Sequence, residues 1–198
     1  MDLRTFLITI ALVLFFSLII TPQYAQEYDS RITKNDLKIT LLSLGSGSCR
    51  LTYERAFHPR YAAELTAGRI GWGWDFLHKS ASKGWLVKAA FKWNVIPQKN
   101  SNSWLAGFYL KPELVGTFFE YHPSHSSDAD IRKRTSQWAL LAETGYQVVY
   151  KWFLFDVYAG LGPSIGTGND NNYFHSFMLF PKESHLAFTA GFRIGVAF

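Results

Sequence analysis

From Leu186 to Phe198 every even position is apolar: Leu186, Phe188, Ala190, Phe192, Ile194, Val196 and Phe198. Between them stand Ala187, Thr189, Gly191, Arg193, Gly195 and Ala197. A period of two sustained over this length dictates an extended strand with one continuous apolar face, because successive side chains of a strand point to opposite sides. The same alternation recurs along the chain. Trp85, Val87, Ala89, Phe91 and Trp93 face one way, with Lys88, Ala90, Lys92 and Asn94 opposite. Phe153, Phe155, Val157, Ala159, Leu161 and Ile165 alternate with Asp156, Tyr158, Gly160, Gly162, Ser164 and Gly166.

Read this way, the chain contains eight strands, each at or above the roughly 9–11 residues that a tilted membrane strand needs. The first starts near Asp36, with Leu37, Ile39 and Leu41 outward, and turns at Gly45-Ser46-Gly47. The second is Ser48 to Phe57; Arg55 falls on its apolar face, where its head can snorkel at a membrane edge. The third starts at Tyr61, and its apolar parity shifts to Ile70, Trp72 and Trp74, which predicts a bulge at Gly68-Arg69. The fifth spans Trp104 to about Tyr121 and holds Pro112, which removes a ladder donor and predicts a second bulge. Strand six carries Trp138, Leu140, Ala142, Tyr146 and Val148, and turns near Tyr150-Lys151. The connections at 58–60 and 149–151 are short, those at 95–103 and 75–83 are of equal length, and those at 122–134 and 167–184 are the long ones; 75–83, 122–134 and 167–184 are polar.

Alternation leaves open which face points inward. Small residues crowd the minority face at 158–166 and 187–197, as the narrow lumen of an eight-stranded barrel requires. Tryptophans fall near strand ends: Trp72, Trp74, Trp85 and Trp138 on the long-loop side, Trp93 and Trp104 on the short-turn side. With the terminal Phe198 they form two candidate interface girdles. Aromatic residues make up 17% of the chain and charged residues 18%, a combination that suits lipid outside and polar groups within. The expected fold is therefore all-β: an eight-stranded antiparallel transmembrane β-barrel over 36–198.

Residues 1–25 have the order of a cleavable signal peptide. Arg4 is followed by fifteen residues, Phe6 to Ile20, broken only by Thr9 and Ser17, then by Thr21-Pro22 and a small residue at Ala25. A spanning helix wants roughly 20 apolar residues. Residues 26–35 form a short periplasmic lead-in, so the expected location is the outer membrane with both termini periplasmic. The single cysteine, Cys49, excludes an internal disulfide framework. The net charge of +5 comes without a basic cluster interleaved with aromatics, so nucleic acid is not an expected partner.

The lumen-facing parity collects Glu54, Glu64, Glu113, Glu143 and Asp156 against Lys38, Lys88, Lys92, Lys111 and Arg193. Charges in so narrow an interior must be paired, which predicts a sealed network in which Lys111 pairs with Glu113 and Arg193 meets a carboxylate. The rival is an ion path through a narrow pore. His78, His122, His125, His175 and His185 map to the long loops, but no pair has metal-ligand spacing, and neither metal nor cofactor is expected. His122-Pro123-Ser124 supports a second rival, a lipid A-modifying hydrolase with Glu120 or Asp128 orienting the base. Arg132-Lys133-Arg134 with Lys79 and Lys83 suit the phosphates of lipopolysaccharide.

Four segments carry a resemblance: LKITLLSLGSGSCRLTYERAF (37–57), with Leu51-Thr52-Tyr53-Glu54-Arg55 its most telling part, GFYLKPEL (107–114), YAGLGPSIG (158–166) and the FRIGVAF ending. They resemble a family of small outer-membrane barrels of Gram-negative bacteria with no agreed activity, similar in architecture to OmpA and OmpX. The resemblance implies an eight-stranded outer-membrane barrel and carries over no catalytic residue; by analogy of fold, the expected role is non-enzymatic, in envelope integrity, surface contact or a larger outer-membrane assembly. Implied partners are outer-membrane lipids and lipopolysaccharide, the barrel-insertion machinery, and an unidentified outer-membrane protein.

Overall fold

The computed structural model describes residues 32–74, 82–98, 101–121, 132–166, 178–179 and 186–198. Eight antiparallel strands form one closed barrel: β1 (Asn35–Thr40), β2 (Ser48–His58), β3 (Tyr61–Ile70), β4 (Lys83–Pro97), β5 (Gly107–Tyr121), β6 (Lys133–Tyr150), β7 (Phe153–Gly166) and β9 (Leu186–Ala197). Each pairs with the next in sequence, and β9 returns to β1 from Asp36↔Ala197 to Thr40↔Arg193. The predicted lead-in meets the barrel at Thr33, which bridges to Ser103. Phe198 N–H and C=O both bond to the backbone of Asn35, tying the ends of β1 and β9 together.

The barrel's width follows from its register. Stepping across the strands from Leu37 passes Tyr53, Leu65, Ala89, Leu114, Leu140, Pro163 and Leu186. The β9–β1 register then sets Leu186 opposite position 47, a stagger of ten residues (47 − 37). With a rise of about 3.3 Å per residue and strands about 4.8 Å apart, that stagger over eight strands demands a tilt of about 40°. Such an interior is just wide enough for side chains to fill.

Three expectations need correction. The first strand does not reach Leu41: it stops at Thr40, and Leu41–Gly45 form a one-turn helix, α1. Leu41 and Leu42 are adjacent and both apolar, so a strand would drive one of them inward; Leu42 instead lies exposed at the barrel rim. β1 is thus six residues long, short of the predicted span. Beyond its end a two-residue strand, β8 (Met178–Leu179), pairs with β9, from Met178↔Phe188. No bulge occurs at Gly68-Arg69: pairing to β2 and β4 runs unbroken there and Ile70 stays inside. Trp72 and Trp74 lie beyond the strand, so their parity carries no register information. Pro112 makes no bulge either. Pairing to β6 is continuous through Pro112↔Ala142, and pairing to β4 resumes in the same register on either side. The register shifts lie instead between Ala56 and His58 and between Asn94 and Ile96, next to the short turns.

Inside, apolar groups hold the two ends. Ile70, Leu86, Phe119 and Tyr121 cluster near the long-loop end of β3–β5. Ala56, Ala62 and Leu105 cluster at the turn end under Trp104.

Candidate functional site

Between those clusters a third apolar group, Val115, Ala139, Leu141 and Ala187, lines one side of the lumen, and ionic residues fill the rest. Lys38, Glu54, Lys92, Gln147 and Asp156 are fully shielded from solvent, and Glu64, Lys88, Lys111, Glu113, Glu143 and Arg193 nearly so. All ten charged residues predicted for the lumen therefore sit within the barrel. Strict alternation puts them there: each precedes or follows an outward residue on an unbroken strand.

Register decides who meets whom. Asp36, Glu54 and Glu64 lie directly opposite one another across β1, β2 and β3, a row of three carboxylates. Lysines from neighbouring rows neutralise it. Lys38 Nζ donates to Glu54, to Glu64 Oε2 at 3.2 Å and to Gln147 Oε1 at 3.2 Å. Lys92 Nζ lies 2.9 Å from Glu54 Oε1 and donates to Gln147 Oε1 at 2.7 Å. Gln147 passes the contact on, its Nε2 donating to Asp36 Oδ2 at 2.9 Å.

On the other side of the lumen Lys111 Nζ meets Glu64 Oε1 at 2.8 Å, Glu113 Oε2 at 3.0 Å and Glu143 Oε2 at 2.8 Å. Lys88 Nζ reaches Glu113 Oε1 at 2.6 Å. Arg193 joins the two halves, with Nη1 2.6 Å from Glu64 Oε1 and Nε 2.8 Å from Asp156 Oδ2. Its Nη2 donates to the Tyr109 hydroxyl at 3.2 Å, which in turn donates to Asp156 Oδ1 at 2.8 Å. The guanidinium lies 4.3 Å from the Tyr158 ring centroid, and the Lys92 ammonium 4.3 Å from that of Tyr109. Such stacking is stronger where water is excluded.

Two glycines make room for the tyrosines. Tyr109, Gly145, Tyr158 and Gly191 form one row across β5, β6, β7 and β9. A Cβ on Gly145 would stand 2.4 Å from the Tyr109 oxygen, and one on Gly191 2.8 Å from that of Tyr158. Each phenol thus leans into the space that a missing side chain leaves on the next strand. The space at Gly191 is taken by the Tyr158 ring that stacks on Arg193. A Cβ on Gly195 would meet the Leu37 carbonyl at 2.2 Å, so that glycine permits close backbone approach instead.

Charge balances within the lumen. Among the described residues the buried acids are Asp36, Glu54, Glu64, Glu113, Glu143 and Asp156, six in number, and the buried cations Lys38, Arg50, Lys88, Lys92, Lys111 and Arg193, also six. Asp36, Arg50, Tyr109, Gln147 and Tyr158 were not among the predicted network. All five share the inward parity, which was the signal that would have found them; an amide and two phenols simply carry no charge to draw attention.

Of the predicted girdle, Trp72, Trp74, Trp85, Trp93, Trp138 and Phe198 are exposed on the outside. Trp104 is not among them. It precedes β5 and packs on Ala56, Ala62 and Leu105, with the Lys34 ammonium 4.3 Å from its ring centroid. Trp152, in the β6–β7 turn, is exposed and takes the place expected for Trp104 at that end. Arg55 projects outward and is exposed. The loop histidines, His122 and Ser124, Asp128, and the whole of 1–25 lie outside the described residues. Among the described residues no three His, Cys, Asp or Glu side chains are grouped to hold a metal ion.

This geometry defines a class, a closed eight-stranded antiparallel barrel with an ion-paired interior and an apolar outer wall. Comparison with protein families, curated proteins and solved structures gives no match to the chain.

Proposed function

We propose that the chain is an integral outer-membrane barrel, exported by a cleaved signal at 1–25, with both ends of its barrel periplasmic. Its lumen is closed by paired side chains, and its role is non-enzymatic: envelope integrity, surface contact, or a component of a larger outer-membrane assembly. Its partners in this reading are outer-membrane lipids, lipopolysaccharide, the insertion machinery and an unidentified membrane protein.

One observation carries the reading, the inversion of the barrel. Charged and polar side chains fill the inside, while large apolar residues stand in the open on the wall, with Leu65 62%, Leu161 56% and Ile165 68% exposed. Soluble monomers rarely expose contiguous apolar patches beyond a few hundred Å². A water-soluble barrel of this size would place its apolar face inward. Lipid around the wall removes the conflict, and the exposed aromatic residues near both strand ends match the headgroup levels. The test is fractionation of cells expressing the full chain, with gel migration of boiled and unboiled samples. Recovery in outer membranes with a heat-dependent shift is expected; recovery in the soluble periplasm without a shift overturns the reading.

A further inference from the structure

The outer wall is not uniform. Across β3–β6 the outward rows step from basic to aromatic to small. The top row sets Lys83, Glu120 and Arg134 side by side, and the next sets Arg69, Trp85, Phe118 and Ser136. A groove of about 660 Å³ runs among these residues at the long-loop end. The row below is Ala67, Val87, Gly116 and Trp138, followed by Leu65, Ala89, Leu114 and Leu140. Here a second groove of about 450 Å³ opens, floored by Ala67 and Ala89 and walled by Leu51, Leu65, Leu114 and Trp138.

The two grooves lie on successive rows of β3–β6, the lower one extending across β2 to Leu37 of β1. Together they make a basic head above an apolar trough, on the side of the barrel where the aromatic belt marks the interface. Arg69, Lys83 and Arg134 against Glu120 leave an excess of two positive charges (3 − 1) at the head. The head is also held in place. The Arg69 guanidinium stacks 4.4 Å from the Trp85 ring centroid, and Arg134 Nε lies 2.6 Å from Glu120 Oε1. A stacked guanidinium loses less freedom on gripping a phosphate than a free lysine does.

We propose that this face is a binding site for one lipid with a phosphorylated headgroup, its phosphate on Arg69, Lys83 and Arg134 and an acyl chain in the Ala67–Ala89 trough. The proposal rests on the membrane reading above. The net positive head selects the lipid over a second membrane protein, because a protein segment crossing the apolar trough brings no anion to it by necessity. Annular lipid would coat the whole wall equally. The small residues at 67 and 89 and the basic head coincide on these strands.

The test uses the mature full-length protein reconstituted into phosphatidylcholine vesicles doped with lipid A, phosphorylated or dephosphorylated, then extracted in mild detergent and weighed by native mass spectrometry. The wild type should retain the phosphorylated form preferentially, and added inorganic phosphate should not displace it. Arg69→Gln, Lys83→Gln and Arg134→Gln should each lower retention about fivefold, the equivalent of about 1 kcal/mol per basic residue near an anionic lipid surface. All three together should lower it about a hundredfold. Ala89→Phe, which fills the trough, should also lower it. Glu120→Gln should raise it several-fold by removing the negative charge that opposes the phosphate, and Arg55→Gln, on the outward face near the opposite rim, should leave it unchanged. Equal retention of both lipid forms, indifference to the triple substitution, or a second chain bound in place of lipid overturns the site, while the heat-dependent shift still reports the barrel in its membrane. Failure to enter vesicles at all overturns the membrane reading and the site with it.

Discussion

Glu64 is the residue on which most of the lumen converges. Its two oxygens accept from Lys38, Lys111 and Arg193, cations supplied by β1, β5 and β9. Removing one partner of a buried ion pair leaves an uncompensated charge, which costs about 3–5 kcal/mol. Glu64→Gln should therefore lower the unfolding free energy of barrels in vesicles by about 3–5 kcal/mol, read from a lower urea midpoint. Arg134→Gln breaks an ion pair whose arginine side chain is 87% exposed, and the shift there should be about 1 kcal/mol or less. If the two variants unfold at the same midpoint, the lumen network does not hold the barrel as described. At this scale the sequence was most informative about which groups are charged and inward. It paired Lys111 with its neighbour Glu113 and gave Arg193 a carboxylate without naming it, because Glu64 and Arg193 are far apart in the chain and meet only through closure.

Among the elements, β5 is the instructive case. Pro112 in its middle removes one backbone donor, yet the strand keeps its register on both sides. Pro112→Val should restore a ladder bond and raise stability by about 0.5–1.5 kcal/mol, read as a higher urea midpoint and as added hydrogen-exchange protection in β4 and β5. A drop in the midpoint would mean that proline is fitted to local backbone geometry. The proline rule argued for a bulge, but a bulge bends a strand, and β5 is held straight by long ladders to β4 and β6 on either flank. Conversely, β1 was read too long because a hydrophobic run cannot show where alternation fails to pay off in burial. The doublet Leu41-Leu42 was the signal, since two adjacent apolar residues cannot both face outward from a strand.

At the scale of the molecule, the six buried acids and six buried cations among the described residues balance in the lumen, and the apolar clusters at either end add to the barrier. Planar bilayers containing the protein should show no ion-selective steps; discrete, ion-selective openings would replace the sealed barrel by a narrow pore. The sequence by itself determined the strand content, the antiparallel order and the inward or outward sense of nearly every strand residue. It did so because side-chain direction in a strand has a period of two and is settled locally. Closure of the barrel set the ten-residue stagger, the row of Asp36, Glu54 and Glu64, the seating of Tyr109 over Gly145, and the packing of a half-buried Trp104 on Ala56, Ala62 and Leu105. Each of these depends on which residue of one strand lies opposite which residue of another. That register is set by closing the whole barrel at once.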